Sequence, residues 1–288
     1  MAVLNLHNCD DHSYTKLNNK AQGLFKLIKA GVPVPETIFI EEKEFDNYKT
    51  KKEISEETKE KIRHFIENIQ SKEYNVQLFA IRCESKYYSK EIHLRPPHSI
   101  LNVGINYLLN ESDLKLTRMP NQEEFVNTIK NIFHNRSQYF DSLPMPEEKN
   151  KTLESEVLYW AKKMYDKMLS LNGDFPKSII IQRMVFGCYS SISGSGICCN
   201  LPEGDDRRFK GFFLPFYQGL ALSRGSWGPN QVSLDKLKII NERAYYKLRD
   251  IFDHLERLYG DNRYLEYTVE GDEVYILEHL TRTRFVEV

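Results

Sequence analysis

The sequence lacks any apolar run approaching the ~20 residues that a membrane-spanning helix needs, so no membrane role is expected. Its opening, Met1-Ala2-Val3-Leu4-Asn5-Leu6-His7, is too short and too polar for a secretory signal. Net charge is almost absent. Forty Lys and Arg stand against 41 Asp and Glu, leaving −1, and bulk electrostatics therefore do not point to nucleic acid or an anionic membrane. Cysteine is sparse. Cys9, Cys83, Cys188, Cys198 and Cys199 make an odd count with one adjacent pair, which argues against a disulfide framework and for a reducing compartment, the cytoplasm. No Cys-x-x-Cys or Cys/His spacing suits zinc, and the five thiols read most simply as small buried hydrophobes.

Several catalytic signatures are missing as well. There is no Gly-x-Ser-x-Gly and no zinc-protease helix motif, and the eight histidines are scattered without a nucleophile partner nearby. Hydrolase chemistry has little support on these grounds. No internal repeat or low-complexity tract interrupts the chain.

What remains is a 288-residue chain, 41% hydrophobic and 28% charged, with the make-up of a soluble globular protein and room for two lobes. Leu24, Leu27 and Ile28 stripe a short helix that Asn18 or Asn19 caps and Gly31, Pro33 and Pro35 end. Thr37–Ile40 and Gln77–Arg82 read as strands. Ile62, Phe65, Ile66 and Ile69 recur at helical spacing behind Ser55. The region from about 107 to 176 reads as helical, with one stripe at Phe125, Ile129, Ile132 and Phe133 and another at Val157, Trp160, Ala161, Met164 and Met168. Pro144 and Pro146 separate the two, and this is the expected link between lobes 1–176 and 177–288. The last third turns β-rich. Ser178–Phe186, Ile197–Cys199 and Phe212–Leu214 read as strands. A helix over 240–259 comes next, with Ala244, Leu248, Ile251 and Leu255 on one side, then a hairpin turning at Glu270-Gly271-Asp272. The fold class expected is α+β.

Few groups carry chemistry. Glu266 and Glu278 each sit inside a strand of large residues, where a carboxylate is costly unless it meets a cation. Two facing strands could present both to magnesium, although strand alternation equally allows one or both to face solvent. Ser190–Gly196 is glycine-rich enough for backbone amides to approach phosphate, but no Gly-Lys-Ser/Thr ends it, and a plain hairpin turn fits as well. Lys20, at a helix start, and Arg82, at a strand end, suit triphosphate oxygens; each also fits an ordinary surface charge. His279, beside Glu278, reads as structural.

These signals fall in the order of one known architecture. Lys20-Ala21-Gln22-Gly23-Leu24 through Ala30-Gly31-Val32-Pro33-Val34-Pro35 resembles the opening of the pyruvate phosphate dikinase and phosphoenolpyruvate synthase family. Ala80–Ser85 resembles the family's Val-Arg-Ser-Ser strand end, and Ile100–Asn106 its Leu-Asn-Leu-Gly-Leu-Asn segment. Gln182–Gly187 with Ser193–Gly196, the pair Gln218-Gly219, and the acidic hairpin at Leu265–Val269 and Tyr275–Glu278 are similar to later family segments. The resemblance implies an ATP-grasp-like, two-lobed nucleotide-binding fold with mixed or antiparallel sheets, present as a stand-alone ATP-binding unit. It also implies roles. Lys20 and Arg82 would hold phosphates, Gln182, Met184 and Val185 would line the adenine, the turn Gly194-Ser195-Gly196 would cover the triphosphate, and Glu266 and Glu278 would hold Mg2+.

The sequence departs from the family at several of its own positions. Asn18-Asn19 replaces Gly-Gly before the lysine, Cys83 and Glu84 replace the two serines, and Phe212, Leu220 and Tyr264 stand where the family has acids. The arginine of the closing Gln-x-Arg is absent or moved to Arg282 or Arg284. Segments like the family's phospho-histidine and pyruvate-binding domains are not seen. The function expected is ATP- and Mg2+-dependent phosphoryl transfer in a cleft between lobes, to a small molecule or to a histidine on a separate protein. The alternatives are a catalytically degenerate nucleotide-binding protein and an ATP-grasp carboxylate–amine ligase.

Overall fold

The computed structural model describes residues 2–70, 77–83, 99–104, 152–170, 177–203, 206–217, 231–260 and 263–281. The helical stripe expected at Phe125–Phe133 and the positions Glu84, Gln218, Gly219, Leu220, Arg282 and Arg284 lie outside the described residues. The described chain is α+β, with two antiparallel five-stranded sheets and helices, consistent with an ATP-grasp-like fold. It divides into two compact units, Met1–Gln22 with Glu36–Met184, and Gly23–Pro35 with Val185–Val288.

In the first unit, β1 (Val3–Asn5), β2 (Thr37–Ile40), β3 (Phe79–Cys83), β4 (Ile100–Val103) and β5 (Ile179–Arg183) form one sheet in the order β1-β2-β5-β3-β4. β5 was expected to open the second lobe. It pairs with β2 and β3 instead, so it is the middle of the first sheet. It also stops at Arg183 rather than running on to Phe186. Ile179, Ile180 and Ile181 are all fully buried, because a central strand covered on both faces has no solvent side.

The helices α2 (Glu42–Lys51), α3 (Glu56–Gln70) and α4 (Leu153–Ser170) share one core with this sheet. The stripes at Ile62, Phe65, Ile66 and Ile69 and at Val157, Trp160, Ala161, Met164 and Met168 are buried in it with Ile38, Ile40, Phe79, Ile81, Ile179 and Ile181. Each such side chain contributes about 1.5–3 kcal/mol on leaving water. The start of α3 is fastened by the buried carboxylate of Glu44, which accepts from the Ser55 N–H, the Ser55 hydroxyl and the Thr58 hydroxyl, each at 2.7 Å.

The helix α1 (Asn19–Lys29) begins in the first unit and ends in the second. Asn18 is its cap, accepting from the Ala21 N–H at 3.1 Å. Its end is closed at Gly31, whose φ of +73° is the left-handed geometry glycine adopts without strain.

In the second unit, β6 (Gly194–Glu203), β7 (Asp206–Pro215), β8 (Val232–Ser233), β9 (Arg263–Glu270) and β10 (Glu273–Thr281) form a sheet in the order β10-β9-β6-β7-β8. The helices α5 (Leu234–Ile240) and α6 (Glu242–Tyr259) accompany it. α6 buries Ala244, Leu248, Phe252 and Leu255; the apolar stripe closes on Phe252 rather than on Ile251, which is half-buried. Asn241 caps α6 through the Ala244 N–H at 3.0 Å, while its amide nitrogen donates to the Gly271 carbonyl at 2.8 Å. One side chain thereby ties the helix start to the β9–β10 turn. Among the described residues no helix is long and apolar enough to cross a membrane.

Candidate functional site

Strand alternation sorts the second sheet into two faces of different chemistry. Cα partners in an antiparallel pair send their side chains to the same side. One face carries Phe213, Leu265, Tyr267, Val269, Val274 and Ile276, all buried. Phe209, of the same parity on β7, lies 5.3 Å from Phe252 and 6.1 Å from Tyr245, ring centre to ring centre, so this is the face α6 covers. The opposite face carries Ser195 and Ile197 on β6, Lys210, Phe212 and Leu214 on β7, and Tyr264, Glu266 and Thr268 on β9.

Glu278 joins that second face through an irregularity. The β9–β10 pairing runs from Glu270↔Glu273 to Tyr267↔Ile276 without a break, then shifts so that Glu266 faces Glu278 and Leu277 is the extra residue. A β-bulge of this kind re-aims the side chains beyond it. The two carboxylates are therefore side by side on one face, both half-buried, with Cβ atoms expected about 4.5–5.5 Å apart. His279 pairs with Leu265 and so belongs to the helix-covered face, away from the carboxylates.

Continuing across the sheet, Glu266 is the partner of Ile197, and Ile197 the partner of Phe212. One cross-strand row thus reads Phe212, Ile197, Glu266, Glu278, apolar at one end and acidic at the other. Ile197 and Leu214 pack with Phe212 and Tyr264 into a small apolar cluster.

Gly194, Ser195 and Gly196 do not form the turn expected of them. The turn lies at 187–192, and these three residues open β6, paired on both sides with β7 and β9. Their smallness has a packing cause. A Cβ on Gly196 would lie 2.1 Å from the Phe212 carbonyl oxygen and 2.5 Å from the Tyr267 hydroxyl, and one on Gly194 would lie 2.3 Å from the Phe213 ring. The Ser195 hydroxyl bonds that of Thr268 at 2.9 Å.

The first unit holds the cations. Asn18, which starts the helix bearing Lys20, donates to the Ser178 hydroxyl at the head of β5. Two residues on, Ile180 is the Cα partner of Arg82. Lys20 and Arg82 are thus brought to the same end of the first sheet. Among the described residues the Nε of Arg82 is buried without a hydrogen-bond partner. A buried guanidinium nitrogen in that state fits an anionic oxygen supplied by a ligand.

Gln182 is buried and donates its amide to the Thr37 hydroxyl at 3.1 Å. Met184 and Val185, immediately after β5, are buried as well. Two further residues escaped sequence reasoning. Arg183 is only 2% exposed and is held by Glu36, Nε to Oε2 at 2.6 Å. Glu270 accepts from the Phe186 N–H at 2.9 Å and so fastens the segment after β5 to β9. The parity of Glu270 with Glu266 was the available signal for the second; nothing in the sequence pairs Arg183 with Glu36.

No protein-family model matches the chain. Among curated proteins it is similar to pyruvate, phosphate dikinases. That of Rickettsia typhi is 29% identical over 147 residues, which cover 48% of this chain and 17% of the relative. Pyruvate, phosphate dikinase 2 of Zea mays is 28% identical over 185 residues, 62% of this chain and 20% of the relative. The chloroplastic pyruvate, phosphate dikinase 1 of Arabidopsis thaliana is 28% identical over 176 residues, 59% of this chain and 17% of the relative. The similarity is distant, and the chain spans no more than about a fifth of the length of these relatives.

Proposed function

We propose that this chain binds ATP with Mg2+ and transfers a phosphoryl group to a small-molecule acceptor or to a histidine of a separate protein, in the cytoplasm. The observation that carries the reading is the bulge that sets Glu278 beside Glu266. Magnesium takes one or two protein carboxylates and fills its remaining positions with phosphate oxygens and water. The pair therefore fits that ion, and the absence of a three-residue His, Cys, Asp or Glu cluster among the described residues is no obstacle. Bound there, Mg2+ would supply charge neutralisation at the phosphates.

The residues of the chain itself do the rest by position and field. Arg82 and Lys20 offer fixed positive charge to phosphate oxygens, and the unpartnered Nε of Arg82 supports this role. Phosphoryl transfer asks little covalent chemistry of a protein, so alignment and electrostatics supply most of the rate. Gln182, Met184 and Val185 would lie on the adenine side. Gly194, Ser195 and Gly196 would serve by shaping the face that carries Glu266.

A second reading, nucleotide binding without transfer, is favoured by one observation. Phe212 and Tyr264, which stand where the resembling family has acids, pack against Ile197 and Leu214 beside Glu266. Incubation with MgATP and candidate acceptors, with nucleotide products separated by chromatography, decides between the readings. ADP or AMP formed only when an acceptor is present supports transfer. Intact ATP despite tight binding supports the second reading. ADP release only with both a carboxylate and an amine would indicate a ligase.

A further inference from the structure

We propose that Asn102 selects the base of the nucleotide, its side-chain oxygen accepting from the 6-amino group of adenine. The inference rests on the nucleotide-binding reading above and adds a residue to which that reading gives no role.

Asn102 lies in an irregular stretch of β4. Phe79 pairs with Val103 and Ile81 with Ile100, so Leu101 and Asn102 together face the single residue Ala80. Asn102 has a φ of +57°, a left-handed conformation that Asn tolerates better than most residues. It is 4% exposed, and its Oδ1 is buried with no hydrogen-bond partner among the described residues. Its backbone N–H donates to the Met184 sulfur at 3.0 Å, and the Met184 N–H donates to the Leu78 carbonyl at 2.8 Å. Asn102 is thus fixed against Met184 with its acceptor unused.

A buried acceptor left without a donor is unfavourable. The same sheet holds a second unmade group, the Nε of Arg82. Ala80, opposite Asn102, is two residues from Arg82 along β3, a separation of about 6.6 Å. Among the described residues, one position lacks a donor and the other lacks an acceptor. A nucleotide offers both in that order, an amino-bearing base and, beyond the ribose, phosphate oxygens. A ribose hydroxyl is the other donor a nucleotide carries, and bound water could satisfy the oxygen without any selectivity.

The test is calorimetric titration of the whole chain with the magnesium complexes of ATP, ITP and 2′- and 3′-deoxy-ATP. ITP replaces the 6-amino group by an oxygen. Asn102→Gly removes the side chain and keeps the left-handed backbone accessible; Asn102→Asp keeps an acceptor. The wild type is expected to bind ATP about tenfold or more tightly than ITP. Asn102→Gly should bring ATP down to the ITP level and leave ITP unchanged. Asn102→Asp should keep the preference, and the deoxy nucleotides should bind as ATP does. Equal affinities for ATP and ITP in the wild type overturn the inference while leaving nucleotide binding intact. So does an equal loss for both in Asn102→Gly, which marks a structural role, or a deoxy nucleotide that reproduces the Asn102→Gly loss. No binding of any of the four overturns the inference and the reading beneath it together.

Discussion

Glu266 and Glu278 are direct partners across β9 and β10, although an unbroken hairpin from Glu270↔Glu273 would set Leu277 opposite Glu266. The single extra residue moves Glu278 from the helix-covered face to the one that carries Glu266, Thr268 and Ser195. Two carboxylates directly opposed on a sheet repel one another, and a divalent cation turns that repulsion into attraction.

Substitution at either position should therefore show in the response to magnesium. Glu266→Gln and Glu278→Gln each remove one of the two carboxylates that would hold the ion. With MgATP present, the wild type should gain thermal stability and both variants should gain less. Thermal unfolding of the three proteins in EDTA and in MgATP measures this. An identical MgATP response in all three would show that the pair holds no metal.

Gly196 tests why the glycines of β6 are there. Gly196→Ala should cost about 1–3 kcal/mol with no nucleotide present, since its Cβ would overlap the Phe212 carbonyl oxygen and Tyr267. Urea unfolding reads the loss. Unchanged stability together with weakened nucleotide binding would instead give the glycine a direct role at the phosphates.

The sequence shows the helices plainly and the site only in part, and the difference is physical. Apolar spacing reveals α3 and α4 because a helix face repeats over several turns; Ile62–Ile69 and Val157–Met168 are buried as their period requires. Gly194–Gly196 reads as a turn because small residues serve two ends, tight turns and close packing, and composition does not separate them. Glu278 is harder still. Its face depends on where one residue bulges, and a shift of one position exchanges the faces of a strand. Arg183 and Glu36 are 147 positions apart and meet only through the β2–β5 pairing.

That pair, with Arg183 buried and Glu36 half-buried, should be costly to break. Glu36→Gln or Arg183→Leu removes the ion pair from a site where Arg183 is 2% exposed, and a loss of about 3 kcal/mol is expected. The double substitution to apolar residues of similar volume should recover much of it. Chemical denaturation of the singles and the double forms the cycle. Additive losses would show that the two side chains do not act as a pair.

The adjacent thiols of β6 make stability fall at alkaline pH. Burial pushes Cys199 up to about 11 and Cys198 well above its ordinary value. The raised value means that the stabilisation is complete below the unfolded thiol's range and is lost as pH rises from about 9 toward 11. Each thiol contributes a slope of up to about 1.4 kcal/mol per pH unit there. Urea midpoints at pH 8, 9, 10 and 11 should fall less steeply in Cys199→Ala than in the wild type. Parallel curves would remove the thiols from the explanation.

Whether the Glu266–Glu278 pair holds the metal of a bound nucleotide decides the functional reading. Calorimetric titration of ATP into the wild type and Glu278→Gln, each with and without Mg2+, measures it. The expected result is magnesium-dependent binding to the wild type that is lost or weakened at least about tenfold in the variant. Binding that ignores Mg2+, or that survives the substitution unchanged, would contradict the metal role of the pair.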